Sequence, residues 1–129
     1  MPYEQLVALN KRCFIFCDNT TFNTQNVFSL GKSNSQWVDK VDINELESAL
    51  VEHHSTQNHT SFIWILQYVL TPNPKFIAKH LNSSLKQITQ STHNNLSKFI
   101  KKFPKLNVVM LDFVNESSCK TIINQNLKN

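Results

Sequence analysis

Apolar positions along the chain gather into short dense blocks, and helical stripes lie between them. Residues 11–18 open with a basic pair, close up into Cys13-Phe14-Ile15-Phe16-Cys17 and end at the turn pair Asp18-Asn19. A short run that is apolar on both faces is the pattern of a strand buried in a parallel sheet, where helices cover either side. The block recurs as Phe62-Ile63-Trp64-Ile65-Leu66 within residues 61–68, and as Val108-Val109-Met110-Leu111 behind Leu106 within residues 105–113. Three adjacent parallel strands are therefore predicted, at residues 13–17, 62–66 and 108–111, with their carboxyl ends on one side.

Between these blocks the spacing turns helical. Asp42 and Glu45 stand as N-cap and N3 partner, with Val41 and Leu46 at the positions of a hydrophobic staple, so a helix starts near Ile43. Its residues Ile43, Leu46, Ala49 and Leu50 leave one face for a core. Asn73-Pro74 reads as an N-cap followed by an N1 proline, and Ile77, Leu81, Leu85 and Ile88 form a stripe behind it. After Ser91-Thr92 a further helix carries Leu96, Phe99, Ile100 and Phe103 until Pro104 stops it. A last helix, from about Glu116, sets Cys119, Ile122 and Ile123 on one side. The single glycine, Gly31, argues against all-β topologies that need glycine in many turns. The order of elements, with crossovers long enough to join parallel strands in the right-handed sense, predicts an α/β fold in one domain over residues 1–129. Three buried strands neither close a barrel nor cover a sheet. Either residues 1–10 add an element or the chain is part of something larger, and the pattern favours the second.

Composition narrows the class. The chain has 129 residues, 40% hydrophobic and 17% charged, which suits one globular domain and matches neither a disordered chain nor a membrane composition. The longest apolar run, residues 62–66, is far short of the roughly 20 residues that span a bilayer, and the amino terminus lacks the apolar core of a signal peptide. A net charge of +4 and a pI near 9.1 suit an anionic partner, yet the only lysine cluster, Lys98, Lys101, Lys102 and Lys105, reads as a solvated helix face. It is not interleaved with exposed aromatics, so no nucleic-acid partner is expected. Three cysteines, an odd number without a Cys-x-x-Cys pair, favour a reducing compartment such as the cytoplasm over a disulfide framework. Five Asn-x-Ser/Thr triplets, at Asn19, Asn58, Asn82, Asn95 and Asn115, point the other way, and the compartment stays open.

The second and third strands carry specific residues. Gln67-Tyr68-Val69-Leu70-Thr71-Pro72 resembles the Q-x-x-L-T-P that follows an apolar strand in the X-domain-containing branch of the phosphatidylinositol-specific phospholipases C. Asn107-Val108-Val109-Met110-Leu111-Asp112-Phe113-Val114 resembles that family's last barrel strand, N-I-I-x-x-D-F-V. Leu81-Asn82-Ser83-Ser84-Leu85-Lys86 is similar to its L-x-S-x-L-K, and Lys11-Arg12-Cys13-Phe14-Ile15-Phe16 to an earlier K-R-V-I-V-F strand, with Trp37 matching a tryptophan that follows. The order and spacing agree over residues 6–126. The resemblance implies the C-terminal half of a TIM-like barrel, a partial (β/α) barrel of parallel strands with helical crossovers. It implies a phosphoric diester hydrolase acting on phosphoinositides or similar phosphodiester lipid headgroups at a membrane surface, with no cofactor. The two catalytic histidines of the family come from the first half of the barrel, so this chain is expected to need that half, or an oligomer, and to be inactive alone. A catalytically dead lipid-headgroup binding module and an α/β interaction protein are the alternatives.

In the family, the aspartate of the last strand orients one of those histidines, which carries that role to Asp112; a carboxylate at a strand's carboxyl end can fix an imidazole tautomer and stabilise its charged form. The same edge is expected to collect Cys17, Asp18, Gln67, Tyr68 and the long loop over residues 19–41. Gln67, Tyr68 and Asp18 are the candidate substrate-binding residues. The family's bacterial members carry an acidic and an aromatic residue just after the glutamine, where this chain has Tyr68 and Leu70. His53, His54 and His59 fall in the loop at the opposite edge and His80 and His93 on the outer helices, so none is expected to act on a substrate. Cys13 and Cys17 are expected as small core residues, Trp37 as a loop anchor and Trp64 as a core aromatic. Asp39 and Asp42 are turn and cap residues, and no metal site is expected.

Overall fold

The computed structural model of the chain describes residues 5, 8–10, 15–17, 27–29, 33–56, 63–103 and 106–127. Their order is β1 (Ile15–Cys17), β2 (Val27–Ser29), β3 (Ser33–Ser35), α1 (Ile43–Thr56), β4 (Ile63–Gln67), α2 (Pro74–Lys79), α3 (Leu85–Ile88), α4 (Gln90–Phe99), a 3₁₀ turn (Ile100–Lys102), β5 (Val108–Met110) and α5 (Glu116–Asn126). The fold is mixed α/β, and among the described residues every strand pair is parallel.

β3, β4 and β5 form a three-stranded sheet in that order, with β4 central. The register sets Ser35 beside Ile65, Ile65 beside Val108 and Gln67 beside Met110. α1 carries the chain from β3 to β4, and α2 to α4 carry it from β4 to β5. The adjacency expected for β4 and β5 is present, but β1 pairs with β2 in a separate two-stranded sheet. The place beside β4 is taken by β3, from the stretch expected to be a loop. Ser33-Asn34-Ser35 has no apolar alternation to announce a strand; the ladder to β4 supplies what its side chains do not.

One face of the sheet builds the core. Trp64 and Leu66 point into it and meet Leu46 and Leu50 of α1 and Leu96 and Phe99 of α4, with Ile100, Phe103 and Tyr68. Tyr68 stacks on Phe99 at 4.6 Å between ring centroids, and Phe103 meets Phe99 edge to face at 5.1 Å. Rings of this size, fully removed from water, contribute roughly 1.5–3 kcal/mol each. The opposite face bears Ile63, Ile65 and Gln67, half-buried, and Val108 and Met110, exposed. At the foot of the sheet the Asn107 side chain ties β4 to the start of β5, its Oδ1 accepting from the Trp64 N–H at 2.8 Å.

The caps follow the sequence closely. Asp42 Oδ1 accepts from the N–H groups of Asn44 and Glu45, and Asn73 caps α2 ahead of Pro74. The stripe Ile77, Leu81, Leu85 and Ile88 does not become one buried helix. A capping box between Ser84 and Gln87 starts a new helix at Leu85, and neither α2 nor α3 has a buried residue. In α5, Ser118 is buried and Ile122 is partly buried against the core, while Cys119 and Ile123 are exposed. Burial on that helix is therefore rotated away from the expected face. The Asn115 capping box explains the shift, because its Ser118 hydroxyl bonds back to the Asn115 main chain and draws that side inward.

Candidate functional site

The carboxyl edge of β4 and β5 is where the expected site residues were placed. Gln67 lies there beside Met110, its Nε2 donating to Ser35 Oγ at 2.6 Å, so the side chain spans from β4 to β3. Asp112 follows β5 by two residues, in a turn whose next residue, Phe113, has φ of 52°. An exposed aromatic held in the left-handed region costs about 1–2 kcal/mol relative to ordinary backbone, which marks this turn as held in place by its surroundings.

Part of what holds it is His93. Its Nε2 donates to the main-chain carbonyl of Asp112 at 2.8 Å. A carbonyl only accepts, so Nε2 carries a hydrogen. Nδ1 is buried and has no hydrogen-bond partner among the described residues. His93 lines a small polar cavity of about 190 Å³ with Gln90, Asn94, Asn115, Ser117 and Thr121. The expectation that His93 stands out of reach of the strand ends is corrected here: α4 packs close enough to β5 for the ring to touch the Asp112 turn. No spacing in the sequence signals this, because the two residues come from different elements and meet only through packing.

Tyr68 is also corrected. Its side chain is fully buried and its hydroxyl donates to Glu47 Oε1 at 2.6 Å. Burial, and the Glu47 carboxylate that takes this bond, raise the phenol far above its ordinary pKa of 10.0 and keep it protonated. Lys102 closes the group, with Nζ 3.6 Å from Glu47 Oε2 and 5.1 Å above the Phe99 ring. Tyr68 is thus a core residue with a satisfied hydroxyl, and it presents nothing to a ligand at the strand edge. The main chain still contributes there, its N–H continuing the ladder to Met110. Asp18 lies outside the described residues, as do Cys13 and His59; of Cys17 only the strand position is described.

No protein-family model, curated protein or solved structure matches the chain.

Two histidines expected in a loop, His53 and His54, belong to a helix instead. His53 and His54 close the last turns of α1 and lie half-buried. His53 sits 5.6 Å from the Trp64 ring and its Nε2 bonds Asn34 Oδ1 at 3.0 Å; His54 meets Trp64 and Phe103 edge-on at 4.8 and 5.0 Å. Burial lowers the His53 pKa from its ordinary 6.5. His80 bonds the Phe76 carbonyl and stacks on that ring. Trp37, expected to anchor a loop, is 54% exposed. Among the described residues no group of three or more His, Cys, Asp or Glu side chains stands together as a metal site. Among the described residues the edge thus offers an amide, a carboxyl and a fixed turn, groups suited to polar recognition.

Proposed function

We propose that the chain is the C-terminal part of a phospholipase C-like phosphodiesterase, a partial TIM-like barrel that cleaves the phosphodiester of a phosphoinositide-type headgroup only when a histidine-bearing half completes it. One observation carries the reading. The two residues that the motifs single out, Gln67 and Asp112, lie at the carboxyl ends of neighbouring parallel strands, the edge where parallel α/β barrels build their sites. The layering supports it further. The helices pack on the Trp64 and Leu66 face, as an outer ring does, and the face with Ile63, Ile65, Val108 and Met110 corresponds to a barrel interior.

In this reading Gln67 hydrogen-bonds a headgroup hydroxyl, and the Asp112 carboxylate accepts from an incoming imidazole, fixes its tautomer and stabilises its positive charge as it takes a proton. Among the described residues no imidazole meets the Asp112 carboxylate: His93 engages Asp112 through the main-chain carbonyl. The isolated chain is therefore expected to release no inositol phosphate from phosphatidylinositol vesicles. Co-expression with a histidine-bearing amino-terminal half should give release that Asp112→Asn reduces by about 10²-fold or more, the usual scale for losing acid–base assistance. Turnover indifferent to Asp112→Asn would overturn the assignment. Headgroup binding without any turnover in the completed assembly would instead make the chain a binding module.

A further inference from the structure

Between Glu52 and Asp112 the chain holds seven lysines and no acidic residue. Within that stretch, α2, α3 and the turn joining them bury no side chain, and they expose Ile77 to 50%, Leu81 to 79% and Leu85 to 48%. These aliphatic positions recur every four residues. Lys75 and Lys79 precede and interleave them and Lys86 follows, all exposed, and none pairs with an acidic group among the described residues.

Three aliphatic side chains held in water are a cost the fold has not relieved with a core contact. Flanked by lysines, they have the composition of a segment that lies in a bilayer interface: aliphatic groups enter the headgroup and acyl boundary while lysine stems snorkel to anionic headgroups. A protein partner fits less well. Stable protein interfaces are anchored by aromatic residues and arginine; the segment has no arginine, and its one aromatic, Phe76, is half-buried and stacked on His80 at 4.0 Å. No helix among the described residues is long and apolar enough to cross a membrane.

We propose that residues 74–88 form a contact surface for an anionic lipid bilayer, with Ile77, Leu81 and Leu85 entering the interface and Lys75, Lys79 and Lys86 pairing with acidic headgroups. The surface follows the carboxyl end of β4, the edge that carries Gln67. It does not depend on the phosphodiesterase reading and stands even if no turnover is found.

The test is co-sedimentation of the full chain with phosphatidylcholine vesicles, with and without phosphatidylglycerol, so that no phosphoinositide is involved. Binding is expected only with phosphatidylglycerol and should weaken as salt rises. Each lysine near an anionic surface is worth about fivefold in partitioning, so reversing Lys75, Lys79 and Lys86 to Glu together should abolish it. Ile77→Ser with Leu81→Ser should cost about tenfold or more, with circular dichroism unchanged because both side chains are exposed. Reversing Lys98, Lys101 and Lys120 to Glu should cost far less. Equal loss from that control set, no binding by the wild type, or capture of polyglutamate that ignores Ile77→Ser and Leu81→Ser would each overturn the bilayer surface, the last by showing a site for polyanions in general.

Discussion

Along β4 the side chains alternate, and Trp64, Leu66 and Tyr68 fall on the core side while Ile65 and Gln67 fall on the other. Gln67 and Tyr68 were expected to serve one substrate, yet a period of two sets neighbours on opposite faces, so the alternation itself carried the information against pairing them. What the sequence did not carry was Glu47, from α1, as the group that satisfies the buried hydroxyl. Tyr68→Phe removes a hydrogen bond to a charged acceptor while keeping the ring on Phe99, and should cost about 1.5–3 kcal/mol in urea unfolding. A variant of unchanged stability with weaker headgroup binding would return Tyr68 to the site. His53 gives a pH signature of known sign. Its folded-state pKa lies below 6.5 because burial disfavours the charged ring, so the unfolded chain binds this proton more readily. The contribution is intact above pH 6.5, falls as pH drops from there to the lower folded-state value, and then levels off. His53→Gln should flatten that part of the melting-temperature profile, and an unaltered acid slope would exclude His53 as its source.

At the level of elements, the sequence was most legible where chemistry is local. Asp42 and Asn73 with Pro74 mark true helix starts, because a cap acts on N–H groups two or three residues away. It was least legible where an element exists by virtue of its partner: β3 has a polar sequence and owes its place to β4, and the Ile77 to Ile88 stripe continues in spacing across a turn that the Ser84 capping box interrupts. The caps can be tested for weight. Asn115→Ala deletes the acceptor of the Ser118 N–H and should lower stability by about 1 kcal/mol, with Asn115→Asp close to wild type. Asn107→Ala should cost more than an exposed asparagine normally does, about 1–3 kcal/mol, since it leaves the N–H of buried Trp64 without its acceptor. If both alanine variants melt with the wild type, the side-chain bonds at these two positions carry no weight and the packing of Trp64 and Ser118 alone holds the elements.

For the molecule as a whole, the consequence of this layering is an apolar sheet surface at its border. β5 is an edge strand of the three-stranded sheet, and it exposes Val108 to 43% and Met110 to 47% beside half-buried Ile63 and Ile65. An edge strand offers unpaired N–H and C=O groups to any second strand, and neither residue is a lysine, a proline or another device that blunts such pairing. Exposed apolar area of this kind promotes association, so the isolated chain should self-associate, with a sedimentation coefficient that rises with concentration. The cause is separable from loss of fold. Val108→Lys with Met110→Lys places charge on a surface that is already wet, so the helical circular dichroism should persist and unfolding should shift by no more than about 0.5 kcal/mol, as for surface changes generally. The same pair should move the sedimentation profile toward the monomer. Lysines on α2 and α3 point to a lipid surface instead, so Ile77→Ser with Leu81→Ser should leave the self-association intact and separate the two apolar surfaces experimentally. A wild type that stays monomeric at high concentration would mean that the face is covered within the chain, and that residues outside the described strands complete it.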